Sequence, residues 1–176
     1  MAIEIERKFL VRKDDWRRPG QGLRYRQGYL TIDPSRTVRV RLAGEEGFLT
    51  IKGKSDGMSR SEFEYTIPVA EANEMLDSLC FKPLIEKIRY RLDHCGHLWE
   101  VDEFEGDNQG LILAEVELAR VDEVVELPPW AGREVTDDPR YYNASLSRNP
   151  YRTWTENDAM TVAEAHDKTS QGETPP

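Results

Sequence analysis

The sequence contains no uninterrupted run of apolar residues long enough to cross a membrane, which takes about 20 such residues. At the N-terminus, charged residues alternate with hydrophobic ones, where a secretory leader would need a continuous apolar stretch. Only 2 of the 176 residues are cysteine, too few for a disulfide scaffold in a chain of this size. We therefore expect a cytoplasmic protein that does not associate with membranes and keeps its thiols reduced.

Signatures of nucleotide and zinc binding are also missing. The sequence has neither a Walker loop nor a Rossmann fingerprint. The segment from His94 to His97 offers imidazole and thiol groups, but no CxxC pair accompanies it. Because it also falls where a hairpin turn is expected, we favour a turn, with structural zinc as the alternative.

Charged residues, by contrast, are abundant: 24 Lys and Arg stand against 33 Asp and Glu, a formal net charge of −9. An acidic protein would ordinarily repel polyanions. Most of the acidic excess, however, falls after residue 120. The last stretch lacks aromatic residues and ends in Pro-Pro, so we expect one folded domain over residues 1–154 and an acidic, disordered tail over 155–176.

Between residues 2 and 120, polar and apolar residues alternate with the period of two that is typical of β-strands. Short turn segments separate the alternating stretches and predict antiparallel hairpins. The eight predicted strands are Ile3–Val11, Leu23–Ile32, Thr37–Leu42, Phe48–Lys54, Arg60–Ile67, Leu84–Leu92, His97–Phe104 and Leu111–Ala119. Helices are predicted over Val69–Leu79, which has one apolar face, and over Tyr141–Ser147.

One face of nearly every predicted strand is ionic. Glu4, Glu6 and Lys8 alternate along the first strand, Arg39 and Arg41 along the third, and the pattern continues through the eighth. Solvent-facing strand positions usually mix charged residues with Thr, Ser and Gln. Closing eight strands would enclose these charges and leave an apolar outside for helices. The predicted fold class is mainly β (α+β), an eight-stranded antiparallel closed barrel with a polar interior and a few helices outside.

A polar tunnel of this kind is costly when its buried charges lack partners. Clustered carboxylates suit a hard divalent cation, and lysines and arginines on neighbouring strands suit phosphate oxygens. The combination therefore predicts a site for a metal-bound polyphosphate.

The order of these charged motifs resembles the CYTH superfamily of triphosphate tunnel metalloenzymes over residues 1–154. The resemblance is carried by Glu4-Ile5-Glu6-Arg7-Lys8, Gln27–Leu30, Arg39-Val40-Arg41, Ile51-Lys52, Glu62 and Glu64, Lys87-Ile88-Arg89, Asp102, Glu115-Val116-Glu117 and Tyr142–Leu146. It implies an eight-stranded tunnel that hydrolyses or cyclises triphosphate compounds with Mg²⁺ or Mn²⁺, and it leaves a two-metal site open.

The same resemblance implies the site residues. Metal ligation is implied for Glu4, Glu6, Glu62, Glu64, Asp102, Glu115 and Glu117. Triphosphate binding is implied for Lys8, Arg39, Arg41, Lys52, Arg60, Lys87 and Arg89. Catalytic roles are implied for Tyr29, Lys87 and Glu6, with Tyr29 as the candidate proton acceptor. A bulge at Gly28 would reverse the alternation, so the direction of Tyr29 is left open, as is substrate binding by Arg24 and Arg26.

The predicted function is the metal-dependent hydrolysis of inorganic tripolyphosphate to pyrophosphate and phosphate. Adenylate cyclase, thiamine triphosphatase and nucleoside triphosphatase are alternatives on the same fold, and a non-catalytic polyphosphate-binding module is an alternative of another class. The predicted partner is a small-molecule triphosphate and not a nucleic acid, and a homodimer is left open.

Overall fold

The structure, a computed structural model, describes residues 5–12, 15–17, 22–33, 35–54, 61–120 and 122–155. Its strands are β1 (Ile5–Val11), β2 (Leu23–Asp33), β3 (Arg36–Ala43), β4 (Glu46–Gly53), β5 (Glu62–Ile67), β6 (Ile85–His94), β7 (His97–Phe104), β8 (Ile112–Leu118) and β9 (Ala131–Glu134). Its helices are α1 (Val69–Ser78), α2 (Asn143–Leu146) and the short 3₁₀ helices Gly106–Asn108, Pro139–Tyr141 and Tyr151–Thr153. The predictions for Glu4, for Arg60 and, apart from its first residue, for the tail over residues 155–176 lie outside the described residues.

All nine strands belong to one antiparallel sheet with the order β5-β4-β3-β2-β6-β7-β8-β1-β9. The mainly antiparallel β fold class with few helices is confirmed, and eight of the strands lie where the sequence predicts them. The ninth strand escapes prediction, because its four residues, Ala-Gly-Arg-Glu, do not alternate between apolar and polar. It pairs with the outer side of β1, across a register shift between Phe9 and Val11.

The two ends of the sheet differ from the closed barrel expected from the sequence. Within the described part of the chain, hydrogen bonding ends at β5 on one side and at β9 on the other, and the two do not pair. Five of the six residues of β5 are exposed, which fits a strand with a partner on one side only. The nine strands therefore form a continuous antiparallel layer whose outermost strands, β5 and β9, are edges.

The helices are close to those predicted. Helix α1 follows Pro68, a residue favoured at helix starts, and ends at Ser78. The second predicted helix divides into a 3₁₀ turn, Pro139–Tyr141, and the short α2, Asn143–Leu146. Among the described residues, no helix has the length and apolar character needed to span a membrane.

The apolar face of the sheet carries most of the core. Helix α1 buries Ala72 and Leu76 in the same cluster as Val40 of β3. Further along the sheet, the segment that follows β8 places Trp130 against Trp99, with ring centroids 5.5 Å apart in an edge-to-face arrangement. Burial of this face leaves the opposite, charged face free for other contacts.

The C-terminal elements pack against one end of the charged face. Tyr141 belongs to a buried cluster with Phe104 and Leu113. Phe104 lies directly opposite Lys87, and Leu113 lies opposite Asp102, so both apolar side chains share a face with the charges. This apolar layer bounds the charged face at the end of the sheet where the C-terminal segment lies.

Candidate active site

The register of the sheet places charged residues of seven strands, β1 and β3 to β8, on one face, to which β2 adds the uncharged Tyr25, Gln27 and Tyr29. Directly opposite residues of an antiparallel pair share a face. Glu6 lies opposite Glu117, and Lys8 lies opposite Glu115. The chain of opposite pairs continues through Glu100 and Glu115, Arg89 and Asp102, Tyr25 and Lys87, Gln27 and Arg41, Tyr29 and Arg39, Arg39 and Thr50, Thr50 and Glu64, and Lys52 and Glu62. We refer to this surface as the ionic face.

Carboxylates concentrate where β1 and β8 meet. Glu6 and Glu117 are directly opposite each other, an arrangement in which like charges repel. Lys8 is only 3 % exposed; its ammonium contacts Glu115 and lies 3.5 Å from a carboxylate oxygen of Glu6. Burial opposes the positive charge of Lys8, but Glu115 and Glu6 outweigh burial, so the pKa of Lys8 is raised. Glu117 is exposed and forms no ion pair with the described residues.

A buried ionic network lies beside this cluster, on β6, β7 and β8. Asp102 is 1 % exposed and accepts two hydrogen bonds from Arg89, at 2.6 Å from Nε and 2.7 Å from Nη2. The ammonium of Lys87 contacts the same carboxylate. Arg89 also lies 3.1 Å from Glu115 and contacts Glu100. One guanidinium thus connects three carboxylates.

Burial and pairing together set the protonation of this network. Burial disfavours the ionised form of Asp102, but Lys87 and Arg89 outweigh it and hold the pKa of Asp102 below its ordinary value. Burial likewise opposes the charge of Glu115, and Lys8 in turn lowers the pKa of Glu115. For Lys87 the balance is reversed: complete burial, helped by the nearby Arg89, lowers the pKa of Lys87 despite Asp102. Asp102 and Glu115 are therefore ionised at neutral pH. Among the cations of this network, Lys87 is the one whose charged form is disfavoured by its surroundings.

A second cluster, on β3, β4 and β5, is rich in guanidinium groups. Arg41 Nη2 donates to both oxygens of Glu64, each at 3.2 Å. Arg39 Nη2 donates to the buried Thr50 hydroxyl at 3.2 Å, and that hydroxyl donates to Glu64 at 2.8 Å. The Nε atoms of Arg39 and Arg41 are buried and lack a hydrogen-bond partner among the described residues. Burial and the neighbouring Arg39 lower the pKa of Arg41. This cluster therefore has more donors than acceptors.

Tyr25 separates the two groups of cations. Its ring centroid lies 5.3 Å from the guanidinium carbon of Arg89, 5.9 Å from that of Arg41 and 6.0 Å from the ammonium of Lys87. The face of an aromatic ring attracts cations at such distances. Tyr25 thus holds cations of both clusters around one ring.

Tyr29, the candidate proton acceptor, also lies on the ionic face. It stands opposite Arg39, and its hydroxyl lies 3.5 Å from Nε2 of the buried Gln27. The irregularity of β2 falls between Tyr29 and Thr31 instead of at Gly28, so the alternation is intact up to Tyr29. The side chain of Tyr29, whose direction the sequence left open, therefore lies on the ionic face.

Known proteins are similar to this chain over most of its length. The model of the CYTH domain matches residues 2–147. The chain belongs to the CYTH domain family. An inorganic triphosphatase of Acetivibrio thermocellus is 52 % identical over 156 residues, which are 89 % of this chain and 100 % of that protein. An inorganic triphosphatase of Nitrosomonas europaea is 42 % identical over 151 residues, 82 % of this chain and 96 % of that protein. A crystal structure of an inorganic triphosphatase has a TM-score of 0.64 at 37 % identity, covering 84 % of this chain and 95 % of its own.

In this CYTH chain, the ionic face brings together all the predicted site residues that the structure describes. They are Glu6, Lys8, Tyr29, Arg39, Arg41, Lys52, Glu62, Glu64, Lys87, Arg89, Asp102, Glu115 and Glu117. Lys52 is paired with Glu62 at 2.9 Å, so the cations and carboxylates of β4 and β5 are matched. Glu4 and Arg60 lie outside the described residues, and their placement stays a prediction.

Two arginines of the CYTH chain that the sequence left open lie on the other face of the sheet. Arg26 Nη2 is 2.8 Å from Asp77 of α1, and Arg24 Nη2 is 3.3 Å from Glu105. Both are opposite residues of β6 that alternate with Lys87. Their ion pairs belong to the helix side of the sheet.

Four residues of the ionic face were not predicted as site residues. They are Tyr25, Gln27, Thr50 and Glu100. Gln27, Thr50 and Glu100 stand two positions from a predicted site residue on their own strands and Tyr25 stands four, so strict alternation places all four on the same face. Tyr25, Gln27 and Thr50 carry no charge, so a pattern of ionic strand faces does not single them out.

Proposed function

We propose that this protein hydrolyses inorganic triphosphate to pyrophosphate and phosphate with the help of a divalent metal ion. The observation that carries the proposal is the pairing, on one face, of a carboxylate cluster with two guanidinium groups whose buried Nε–H donors have no acceptor among the described residues. Two relatives that are 52 % and 42 % identical to this chain are named inorganic triphosphatases, which supports this substrate over nucleotides.

The triphosphate would bind to the cations of both clusters. Buried Nε–H groups of Arg39 and Arg41 lack acceptors, and phosphate oxygens would supply them. Lys8, Lys52, Lys87 and Arg89, with Arg60, would complete the cradle. Because Thr50, Glu64 and Asp102 already hold several of these cations in place, binding would cost little additional side-chain entropy.

The metal would bind where β1 and β8 meet. Glu6 and Glu117 face each other, and Glu117 has no cation partner among the described residues, so the cluster has carboxylate oxygens to offer. Oxygen donors of this kind fit Mg²⁺ or Mn²⁺, and we assign Glu6 and Glu117, with Glu4, as the ligands. Glu115 would join them while it shares its oxygens with Lys8 and Arg89, because it lies opposite Lys8 in the middle of this cluster. The bound ion would neutralise charge on phosphate oxygens as a Lewis acid.

Three other carboxylates fit a positioning role better than metal ligation. The oxygens of Asp102 accept from Lys87 and Arg89, Glu64 accepts from Arg41, and Glu62 pairs with Lys52. We therefore propose that Asp102, Glu62 and Glu64 orient the cations that grip the substrate. This assignment favours one metal ion over two.

The reaction requires a water molecule to attack the terminal phosphorus in line with the leaving pyrophosphate. The bond between that phosphorus and the bridging oxygen breaks, and the water proton passes to a base. Glu6 and Tyr29 are the candidates for this base, and Lys87 and Arg89 would counter the charge that builds up on the phosphate oxygens. Positioning and electrostatics would thus supply most of the rate acceleration.

A phosphate-release assay tests the proposal. The full chain should release phosphate from tripolyphosphate with Mg²⁺ or Mn²⁺ and lose this activity with a chelator. Arg39→Ala should be strongly impaired, whereas the matched control Arg24→Ala, which removes an arginine from the opposite face, should resemble the wild type. If neither metal supports release, or if the two variants behave alike, the proposal fails.

The alternatives give different products. Phosphorus NMR of reactions with ATP would reveal cyclic AMP if the protein were an adenylate cyclase, and thiamine triphosphate would be the better substrate of a thiamine triphosphatase. Tight, metal-independent binding without turnover would identify a binding module. The cytoplasmic location and the lack of nucleic-acid and membrane partners stay predictions. Whether the protein forms a homodimer stays open.

A further inference from the structure

The hairpin between β6 and β7 brings three metal-ligating side chains together. His94 and Cys95 belong to this hairpin, and Glu126 belongs to the segment between β8 and β9. One imidazole nitrogen, the thiol sulfur and one carboxylate oxygen all lie within 4.8 Å of one another. The sequence shows His94 and Cys95 as neighbours, but only the fold adds Glu126.

This cluster is separate from the ionic face. Residues of β6 alternate between the two faces of the sheet, and His94 has the opposite parity from Arg89, Arg91 and Asp93. Because Arg89 shares its face with Glu115, and Glu115 with Lys8 and Glu6, His94 lies on the face opposite that of Glu6 and Glu117. Metal bound at His94 would therefore be distinct from metal bound near Glu6 and Glu117.

The side chains of the cluster are not committed to other ionic partners. His94 forms no side-chain hydrogen bond or ion pair with the described residues, and its Nε2 atom is buried without a partner. Glu126 pairs with no cation in the described part of the chain, and its carboxylate lies beside the Cys95 thiol. An imidazole that has no hydrogen-bond partner among the described residues, beside a thiol and a carboxylate, is an arrangement that a cation would complete.

The backbone holds the thiol at the tip of the hairpin. Cys95 has a φ of 49° and Gly96 a φ of 83°, so both central residues of the two-residue turn are left-handed. Such turns favour Asn-Gly, because most other side chains are strained at the first position. The turn thus places Cys95 next to His94 at the tip of the hairpin.

We propose that His94, Cys95 and Glu126 form a binding site for a zinc-like transition-metal ion. One nitrogen, one sulfur and one oxygen donor suit Zn²⁺, whereas Mg²⁺ and Ca²⁺ prefer oxygen alone. Water would take the fourth tetrahedral position. The ion would tie the hairpin to the segment after β8, which His97 already contacts through Glu123 at 2.9 Å.

Cobalt spectroscopy tests this site in the full chain. Co²⁺ is added with excess Mg²⁺, so that Mg²⁺ occupies the oxygen-rich carboxylates of the ionic face. We expect one Co²⁺ per chain with thiolate-to-cobalt charge-transfer absorption. The absorption should vanish in Cys95→Ser and persist in the control Cys80→Ala, because Cys80 is buried elsewhere, near α1. His94→Ala and Glu126→Gln should each weaken Co²⁺ binding by more than about tenfold.

A second measurement separates this site from the proposed enzyme activity. Zn²⁺ should raise the melting temperature of the wild type but not that of Cys95→Ser. Without added Zn²⁺, the two proteins should hydrolyse tripolyphosphate at the same rate. Co²⁺ binding without thiolate absorption, or absorption that survives in Cys95→Ser, would overturn the proposal. Neither result depends on whether the protein hydrolyses triphosphate.

Discussion

Replacing Asp102 with asparagine should destabilise the protein strongly, because it removes the anion that compensates two buried cations. Asp102 is 1 % exposed and Lys87 is 2 % exposed, so water cannot take the place of the lost charge. Arg89 would lose its bidentate partner at 2.6 and 2.7 Å. Breaking a buried ion pair from one side typically costs about 3–5 kcal/mol of unfolding free energy, and we expect a loss in this range.

The loss should depend on pH in a definite direction. Burial already lowers the pKa of Lys87 in the wild type, and Asp102 opposes that shift. Without Asp102 the folded-state pKa of Lys87 falls further, while the unfolded value stays at about 10.4. Between these two values the unfolded chain binds more protons than the folded one, so stability rises with pH. The wild type gains stability in the same way only above its own, higher folded pKa of Lys87. The deficit of Asp102→Asn should therefore shrink with rising pH between the two folded values and stay constant above them.

Urea unfolding of the wild type and the variant at several pH values measures both effects. Asp77→Asn is the matched control, because Asp77 is exposed and forms a surface ion pair with Arg26. Removing an exposed ion pair should cost no more than about 1 kcal/mol. If Asp102→Asn lost no more than this control, or if its deficit grew with pH, the account of a compensated buried network would be refuted.

Three further predictions follow from the site and the sheet. Arg39→Ala should lower kcat/KM for tripolyphosphate by about 10- to 100-fold, the effect of losing a hydrogen bond to a charged group, while Arg24→Ala leaves it unchanged. Glu117→Gln should raise the Mg²⁺ concentration needed for half-maximal activity by about tenfold or more, as measured by titrating Mg²⁺ in the activity assay. An unchanged Mg²⁺ requirement would show that Glu117 is not a metal ligand. Gly28→Ala should lower the melting temperature, because its Cβ would lie 2.7 Å from the Cβ of Cys80, and overpacking costs about 1–3 kcal/mol.

Much of the fold could be predicted from local pattern. Alternation places Glu6 and Lys8 on one side of their strand, and it does the same for Lys87 and Arg89, whatever the strands pair with. The short turns between alternating stretches predict antiparallel neighbours, and consecutive strands from β2 to β5 and from β6 to β8 do pair. These are the features that depend on residues close together in the sequence.

Other features could not be predicted because they depend on distant contacts. β9 has only four residues, which do not alternate, and it exists because β1 offers a free edge. The pairing of β2 with β6 connects strands that are separated by more than 50 residues, and it alone places Tyr25 opposite Lys87. The engagement of Asp102 by two cations likewise depends on the register between β6 and β7.

By itself, the sequence determined that this protein has an antiparallel sheet with one ionic face, since successive side chains of a strand point to opposite sides. Only the tertiary structure decided which charges meet. Pairing order sets Lys8 against Glu115, register sets Arg89 against Asp102, and the return of the chain after β8 brings Glu126 to Cys95. These contacts join residues far apart in the chain, and their geometry follows from how the strands pack and pair rather than from the neighbours of any one residue.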